Sequence, residues 1–231
     1  MISLVRRSSS SAGIAELSAA SACGGCSGTG GGSALVALGL DSILAIEIQS
    51  RIETGIGVKL SVLDLLRGVS SYAYELFNKV ADLDTVYVPI GQGSGICSTI
   101  MIRDLMGLKT KIVGVVAENA PSYALSFEAG KPVSTNDANT IADGVACRVP
   151  DAVAVEIINR GADRIVRVTE DEIRQAMHHY FTDTHNLAEG AGAVPLAALM
   201  QERDQMAGRK VGVILSGGNV DAALFRSVMA A

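Results

Sequence analysis

From about Asp82 onward, short apolar runs alternate with longer mixed stretches. "TVYVPIG" (85–91), "TKIVGVVAE" (110–118), "DRIVRVT" (163–169) and "RKVGVILSGGNV" (209–220) read as strands, the last closing in a glycine turn. The first is apolar without a break, as in a strand buried on both faces. Helical patterns lie between them: "CSTIMIRDLMG" (97–107), "SYALSFEAGKP" (122–132) with a glycine and proline stop, residues 170–185, and residues 191–206. Thr169 and Glu172 have capping-box spacing at the start of the third. Strands alternating with helices predict an α/β fold, a mostly parallel sheet with covering helices.

Upstream the pattern changes. Residues 34–81 have helical spacing and no strands. Ile43, Ile46, Glu47, Ser50 and Ile52 lie on a helix starting near Ser42. Asp41 precedes it, where a carboxylate favours the positive end of the helix. "TGIGVKL" (54–60) breaks that helix. "SVLDLLRG" (61–68) predicts a short helix ending at Gly68, and "SSYAYELFNKVA" (70–81) predicts another. Residues 1–33 hold few large apolar side chains. There "SSSSAG" and "CGGCSGTGGGS" read as flexible, with room for a short helix over 14–22. The pattern therefore divides the chain into 1–33, 34–81 and 82–231.

Composition narrows the function. The 231 residues suit one large or two small domains, and 48% are apolar, enough for a substantial core. Aromatics make up 4% and Trp is absent, so small and aliphatic side chains fill that core. A net charge of -5 with no basic stripe argues against nucleic acid as a partner. No apolar run has the length of a membrane span. Arg6 and Arg7 are not followed by an apolar stretch, so no secretory signal is expected. A cytoplasmic, reducing setting fits four cysteines without a disulfide framework. Cys23 and Cys26 have CxxC spacing, but no second pair or nearby His completes a metal site, and two linker thiols is the plainer reading. His178, His179 and His185 fall on one predicted helix. His185 and Glu189 would share a metal only if that helix continued through Gly190, so surface histidines are expected and no metal site is predicted. A homo-oligomer is open.

Two stretches carry chemistry. Gly91, Gln92, Gly93, Ser94 and Gly95 join a strand to a helix. Backbone N–H groups at such a helix start bind phosphate. A dinucleotide is one candidate ligand, with Glu118 at the end of the next strand as a ribose acceptor, although the spacing is GxGxG rather than GxGxxG. A purely structural tight turn is the alternative. The second stretch is Asp41–Ser42, which is either a helix cap or a modifiable hydroxyl at a helix start.

Gly39, Leu40, Asp41, Ser42 and Ile43, with "LAIEIQSRIETGIGVKLSVLDLLRG" after them, resemble the acyl carrier domains of polyketide synthases through about Val80. The resemblance implies 4′-phosphopantetheine on Ser42, where the helix dipole tolerates a new phosphate. In that family a full first helix lies upstream. Here that region is mostly Ser and Gly, so slow or partial modification is expected.

Residues 84–221 resemble the C-terminal half of the pyridoxal-phosphate threonine/serine dehydratases, which have the tryptophan-synthase-β-like fold. The matching stretches are "VYVPIGQGSG", "TIADGVA", "VTEDEIRQAM", "AEGAGAVPLAAL" and "ILSGGNVD", in the family's order. The resemblance implies partial fold type II and assigns roles. Gly91, Gln92, Gly93, Ser94 and Gly95 would cradle the phosphate of pyridoxal 5′-phosphate. Ser216 would hydrogen-bond the pyridine nitrogen, Gly144 would lie beside the ring, and Glu189 would lie near the cofactor unless it is simply a helix-start carboxylate. Asn219 would orient the Ser216 loop. The substrate would be a small amino acid, losing water and then ammonia. In the family a Schiff-base lysine lies far upstream of the glycine loop, in a Ser-x-Lys-x-Arg-Gly context. Lys59 and Lys79 lack that context, and Lys109, Lys111, Lys131 and Lys210 follow the loop. No catalytic lysine is therefore assigned. The sequence predicts a dehydratase-like protein that is incomplete and inactive by itself, a carrier module acting through Ser42, or a fusion of two partial domains.

Overall fold

The computed structural model describes residues 2–6, 17–20 and 62–230, with side chains described from residue 69. Strands β1 (Ile2–Arg6) and β2 (Leu17–Ala20) come first. Helix α1 (Val62–Lys79) follows, then β3 (Thr85–Pro89), α2 (Ser94–Leu105), β4 (Lys111–Ala117) and α3 (Ser122–Ala129). A 3-10 turn (Asp143–Val145) precedes α4 (Ala152–Gly161), β5 (Arg164–Val168), α5 (Glu170–Thr184), α6 (Gly190–Gln201), β6 (Lys210–Ile214) and α7 (Ala222–Met229).

The six strands form one sheet in the order β2-β1-β6-β3-β4-β5. β6, β3, β4 and β5 are parallel, while β1 runs antiparallel to β6, and β2 to β1. Alternate side chains leave opposite faces, and both faces are buried. Tyr87, Val113, Val115, Ala117, Val211 and Val213 point into a core shared with α5, α6 and α7. Val86, Val88, Ile90, Ile112, Val116 and Ile214 point into a second core shared with α1, α2, α3 and α4. This is the predicted covered parallel sheet. Among the described residues no helix is long and apolar enough to cross a membrane.

Several elements depart from the sequence expectation. Leu17–Ala20 is a strand, where the sequence left room for a short helix over 14–22. That strand and Ile2–Arg6 lie inside the stretch read as flexible. Pairing decides their form, β1 on β6 and β2 on β1, because backbone groups gain partners at a sheet edge regardless of side-chain pattern. Helix α1 runs through Gly68 instead of stopping there. A glycine costs a helix interior only about 1 kcal/mol, and burial of Ala73, Leu76 and Phe77 outweighs it. The α/β body thus takes in α1, upstream of Asp82. The capping box forms as read: Thr169 Oγ1 accepts from Glu172 N–H, and Glu172 Oε2 accepts from Thr169 N–H at 2.7 Å.

At the N-terminal end of the strands, Arg164 holds Glu202, which also accepts the hydroxyl proton of Tyr87. Arg164 pairs with Asp163 as well, at 2.6 Å. Burial pushes the Glu202 carboxyl up, but its bonds to Arg164 and Tyr87 outweigh that and hold it below its ordinary 4.5. A carboxylate with a depressed folded value stabilises the fold above its ordinary pKa and loses that contribution as pH falls through the depressed one. The urea midpoint is therefore expected to fall on acidification below about pH 4.5. Glu202→Gln should be less stable at neutral pH and show a shallower acid limb. An unchanged acid limb would contradict the assignment.

Candidate functional site

β3 stays in the ladder through Ile90, whose N–H donates to Val115 O at 2.9 Å. The chain then turns through Gly91, Gln92 and Gly93 into α2. Gly93 is the N-cap of α2 at φ 93, a left-handed conformation that glycine adopts without strain, and no side chain caps the helix. The carbonyls of residues 92–95 are all engaged. Tyr123 donates to Gln92 O at 2.8 Å, Cys97 N–H to Gly93 O at 3.0 Å, Ser98 Oγ to Ser94 O at 2.7 Å, and Thr99 Oγ1 to Gly95 O at 2.9 Å. Among the described residues none accepts from the N–H groups of Gly93, Ser94, Gly95 and Ile96. Four convergent donors at a helix start, with no carboxylate on the loop, suit a phosphate monoester.

A second loop lies alongside. The parallel register Tyr87↔Val213 sets the exits of β3 and β6, at Pro89 and Ile214, side by side. Beyond Ile214, Leu215 is buried and Ser216 is exposed. Glu189 holds this loop. Its N–H donates to Gly217 O at 3.2 Å, and its Oε2 accepts from Asn219 N–H at 3.1 Å. Gly217 is packed so closely on that carboxylate that a Cβ there would lie 2.5 Å from Oε1. Asn219 thus contributes through its backbone. Glu189 is the N-cap of α6 but makes no side-chain cap bond, so its carboxylate serves the loop rather than its own helix.

Gly144 ties the two loops together. A Cβ on Gly91 would overlap the carbonyl oxygen of Gly144. A Cβ on Gly144 would lie 2.8 Å from Ala191 Cβ and 3.9 Å from Glu189 Oε1. Glu170, in the first turn of α5, fixes this segment by accepting Ile141 N–H at 2.9 Å. Sequence spacing gives no signal for Glu170, Tyr72 or Tyr123, since each reaches its partner across 23 to 31 residues.

Other candidates fall elsewhere. His185 closes α5 in the left-handed region at φ 56, so it shares no helix with Glu189. His179 Nδ1 instead lies 2.8 Å from Asp183 Oδ2 on the surface. Glu118 is exposed just past β4. Lys109, Lys111 and Lys210 sit at the N-terminal ends of the strands, the edge opposite the glycine loop, and Lys79 pairs with Glu75 at 3.5 Å. Lys131 is exposed beyond α3. Cys97 and Cys147 are buried, and burial pushes the Cys97 thiol up to about 12. Cys23, Cys26, Ser42 and Lys59 lie outside the described residues.

The sequence model of the family described as pyridoxal-phosphate dependent enzyme matches residues 61–217, a span holding the glycine loop, Gly144, Glu189 and Ser216. That of the phosphopantetheine attachment site matches residues 30–72. L-threonine ammonia-lyase of Thermotoga maritima is 32% identical over 157 residues, covering 68% of this chain and 39% of that protein. Phenylserine dehydratase of Ralstonia pickettii is 34% identical over 159 residues, covering 68% of this chain and 49% of that protein. The processed form of threonine deaminase isoform 2 from Solanum lycopersicum has a TM-score of 0.68 at 27% identity, over 71% of this chain and 49% of that one. The chain spans less than half the length of these three relatives. The family match displaces the dinucleotide reading of the glycine loop.

Gly91→Ala tests the contact between the loops. The new methyl meets backbone, which cannot rotate away, so the loops must separate at a cost of about 1–3 kcal/mol. Urea denaturation should register that loss, and hydrogen exchange should rise in both loops. Full stability in Gly91→Ala would contradict the close approach.

Proposed function

We propose that this chain, which belongs to the pyridoxal-phosphate dependent enzymes, is the cofactor-holding half of a threonine/serine dehydratase, an ammonia-lyase. The observation that carries the reading is the uncapped turn of Gly93, Ser94, Gly95 and Ile96 lying beside the Ser216 loop. The residues fit pyridoxal 5′-phosphate. The free N–H groups and the absence of a carboxylate on the turn suit its phosphate, with Gly91 and Gln92 leading into the cradle. Gly144 would leave one side of the ring without a side chain. The Ser216 hydroxyl suits the pyridine nitrogen.

When bound, the cofactor supplies an electron sink for negative charge at Cα of an amino acid. This chain's residues set how strong that sink is. A serine hydroxyl shares a hydrogen bond but brings no full charge, so Ser216 would leave the ring nitrogen largely unprotonated, which would suit elimination over transamination. Glu189 holds the Ser216 loop through Gly217 and Asn219. The substrate class, a small β-hydroxy amino acid, is taken from the names of the relatives. A Schiff-base lysine from a further half would complete the site; in support, among the described residues Lys109, Lys111 and Lys210 occupy the opposite sheet edge and Lys79 pairs with Glu75.

Calorimetry with pyridoxine 5′-phosphate and with pyridoxine tests this, because neither forms adventitious adducts with lysine. Hydrogen bonds to a charged group are worth about 1.5–3 kcal/mol each, so the phosphate form should bind at least roughly tenfold more tightly. Equal affinities would overturn the reading. With pyridoxal 5′-phosphate and threonine or serine, the purified chain should release no 2-keto acid, and sustained release would contradict a lysine supplied from elsewhere.

The match over residues 30–72 supports a second reading, a carrier bearing 4′-phosphopantetheine on Ser42. Incubation with coenzyme A and a broad-specificity phosphopantetheinyl transferase should add one phosphopantetheinyl mass to the parent and none to Ser42→Ala. No gain in the parent would end this reading, and a gain in Ser42→Ala would move it to another residue.

A further inference from the structure

We infer that Tyr123 and Tyr72 are positioning residues for phosphate, two braces that turn the peptide planes of the glycine loop so that its N–H groups face the ligand. The inference rests on the phosphate reading of that loop. Its basis is peptide geometry. In a trans peptide the C=O of one residue and the N–H of the next point in opposite directions, and no cis peptide bond occurs among the described residues. Whatever holds a carbonyl inward therefore aims the following N–H outward.

Helix α2 supplies such holds for three of the four relevant carbonyls, one of them that of Gly95, which Thr99 Oγ1 takes at 2.9 Å. Cys97 N–H takes Gly93 O, which aims the N–H of Ser94, and Ser98 Oγ takes Ser94 O, which aims that of Gly95. The fourth depends on a group from outside, and an outside group adds a second hold on Gly95 O. Gln92 precedes the helix and has no helical donor, and its carbonyl is held by Tyr123 from α3 at 2.8 Å. That bond aims the N–H of Gly93, which leads the set. The Gly95 carbonyl accepts from Tyr72 of α1 at 2.8 Å as well as from Thr99 Oγ1 at 2.9 Å, and the two together aim the N–H of Ile96.

Both tyrosines are themselves fixed. Tyr123 is 1% exposed, and its oxygen accepts the N–H of Asp151, the N-cap of α4, at 3.1 Å. A Cβ on Gly93 would lie 3.2 Å from that same oxygen, so the ring sits directly behind the turn. The Tyr72 oxygen lies 2.9 Å from Thr99 Oγ1. Burial raises both hydroxyls, Tyr72 to about 12, so each stays protonated and remains a donor at neutral pH. A phosphate drawing on the four N–H groups polarises these peptides further, which strengthens the bonds behind them.

Tyr123→Phe and Tyr72→Phe remove one hydroxyl each and keep the packed ring. Calorimetry is run on the full chain with inorganic phosphate, pyridoxine 5′-phosphate and pyridoxine, alongside hydrogen exchange of the loop amides and urea unfolding. Tyr123→Phe should weaken binding of the two phosphate compounds roughly fivefold to tenfold, the scale of one lost hydrogen bond, and Tyr72→Phe, which leaves Thr99 on the Gly95 carbonyl, roughly twofold to fivefold, while both leave pyridoxine binding unchanged. Exchange at the amides of residues 93–96 should rise. A merely structural role would weaken all three ligands equally, and that result would overturn the inference. Parental affinity for both phosphate compounds in both variants would also overturn it, while leaving the phosphate reading intact. A parent chain that does not prefer the phosphate form fails the phosphate reading itself. Tyr72→Phe, on a different helix, gives an independent decision should Tyr123→Phe not fold.

Discussion

The parallel pairing of β3 with β6 is the constraint on which the ligand-facing end depends. Two parallel neighbours leave the sheet at the same edge, so the glycine loop after Pro89 and the Ser216 loop after Ile214 emerge together. In open α/β sheets this crevice beyond the carboxyl ends of the strands is where ligands sit. Each loop is then set by its own surroundings. Gly91 packs against the Gly144 backbone, and Gly217 packs against the Glu189 carboxylate. The strands hold their places because both faces are buried, one under α5, α6 and α7 and the other under α1, α2, α3 and α4.

Helix α1 belongs to two descriptions at once. The match to the phosphopantetheine attachment site ends at residue 72, and the match to the pyridoxal-phosphate enzymes begins at residue 61. Structurally α1 packs with the α/β body, chiefly against α2: Ala73, Leu76 and Phe77 are buried, and Leu76 and Phe77 join the core that includes Val86 of β3 and Ile112 of β4. Tyr72, the last residue of the carrier match, reaches Gly95 in the glycine loop. Residues of the carrier-like segment are thereby physically joined to the ligand end of the α/β body.

Much of this was legible in the sequence because it depends on local pattern. Apolar runs marked β3, β4, β5 and β6, and Thr169 with Glu172 marked the start of α5. The glycine loop could be recognised because only glycine tolerates the φ of Gly93 and the approach at Gly91. Interactions distant in sequence were not legible. Ala152–Gly161 and Ala222–Met229 escaped notice as helices, although Asp151 and Asp221 cap them. β1 and β2 depend on the edge offered by β6, which no local pattern reveals. Glu189 carried two readings in sequence, and its bond to Asn219 N–H gives it a third role, holding the Ser216 loop.

The most direct test of the account is a backbone amide NMR titration of the full chain with inorganic phosphate. The account predicts that the largest shifts fall on the amides of Gly93, Ser94, Gly95 and Ile96 and saturate together with a single affinity. The opposite sheet edge, where Lys109, Lys111, Arg164 and Arg209 line a cavity of about 800 Å³, should stay unmoved. Shifts confined to that cavity, with the glycine loop silent, would contradict it.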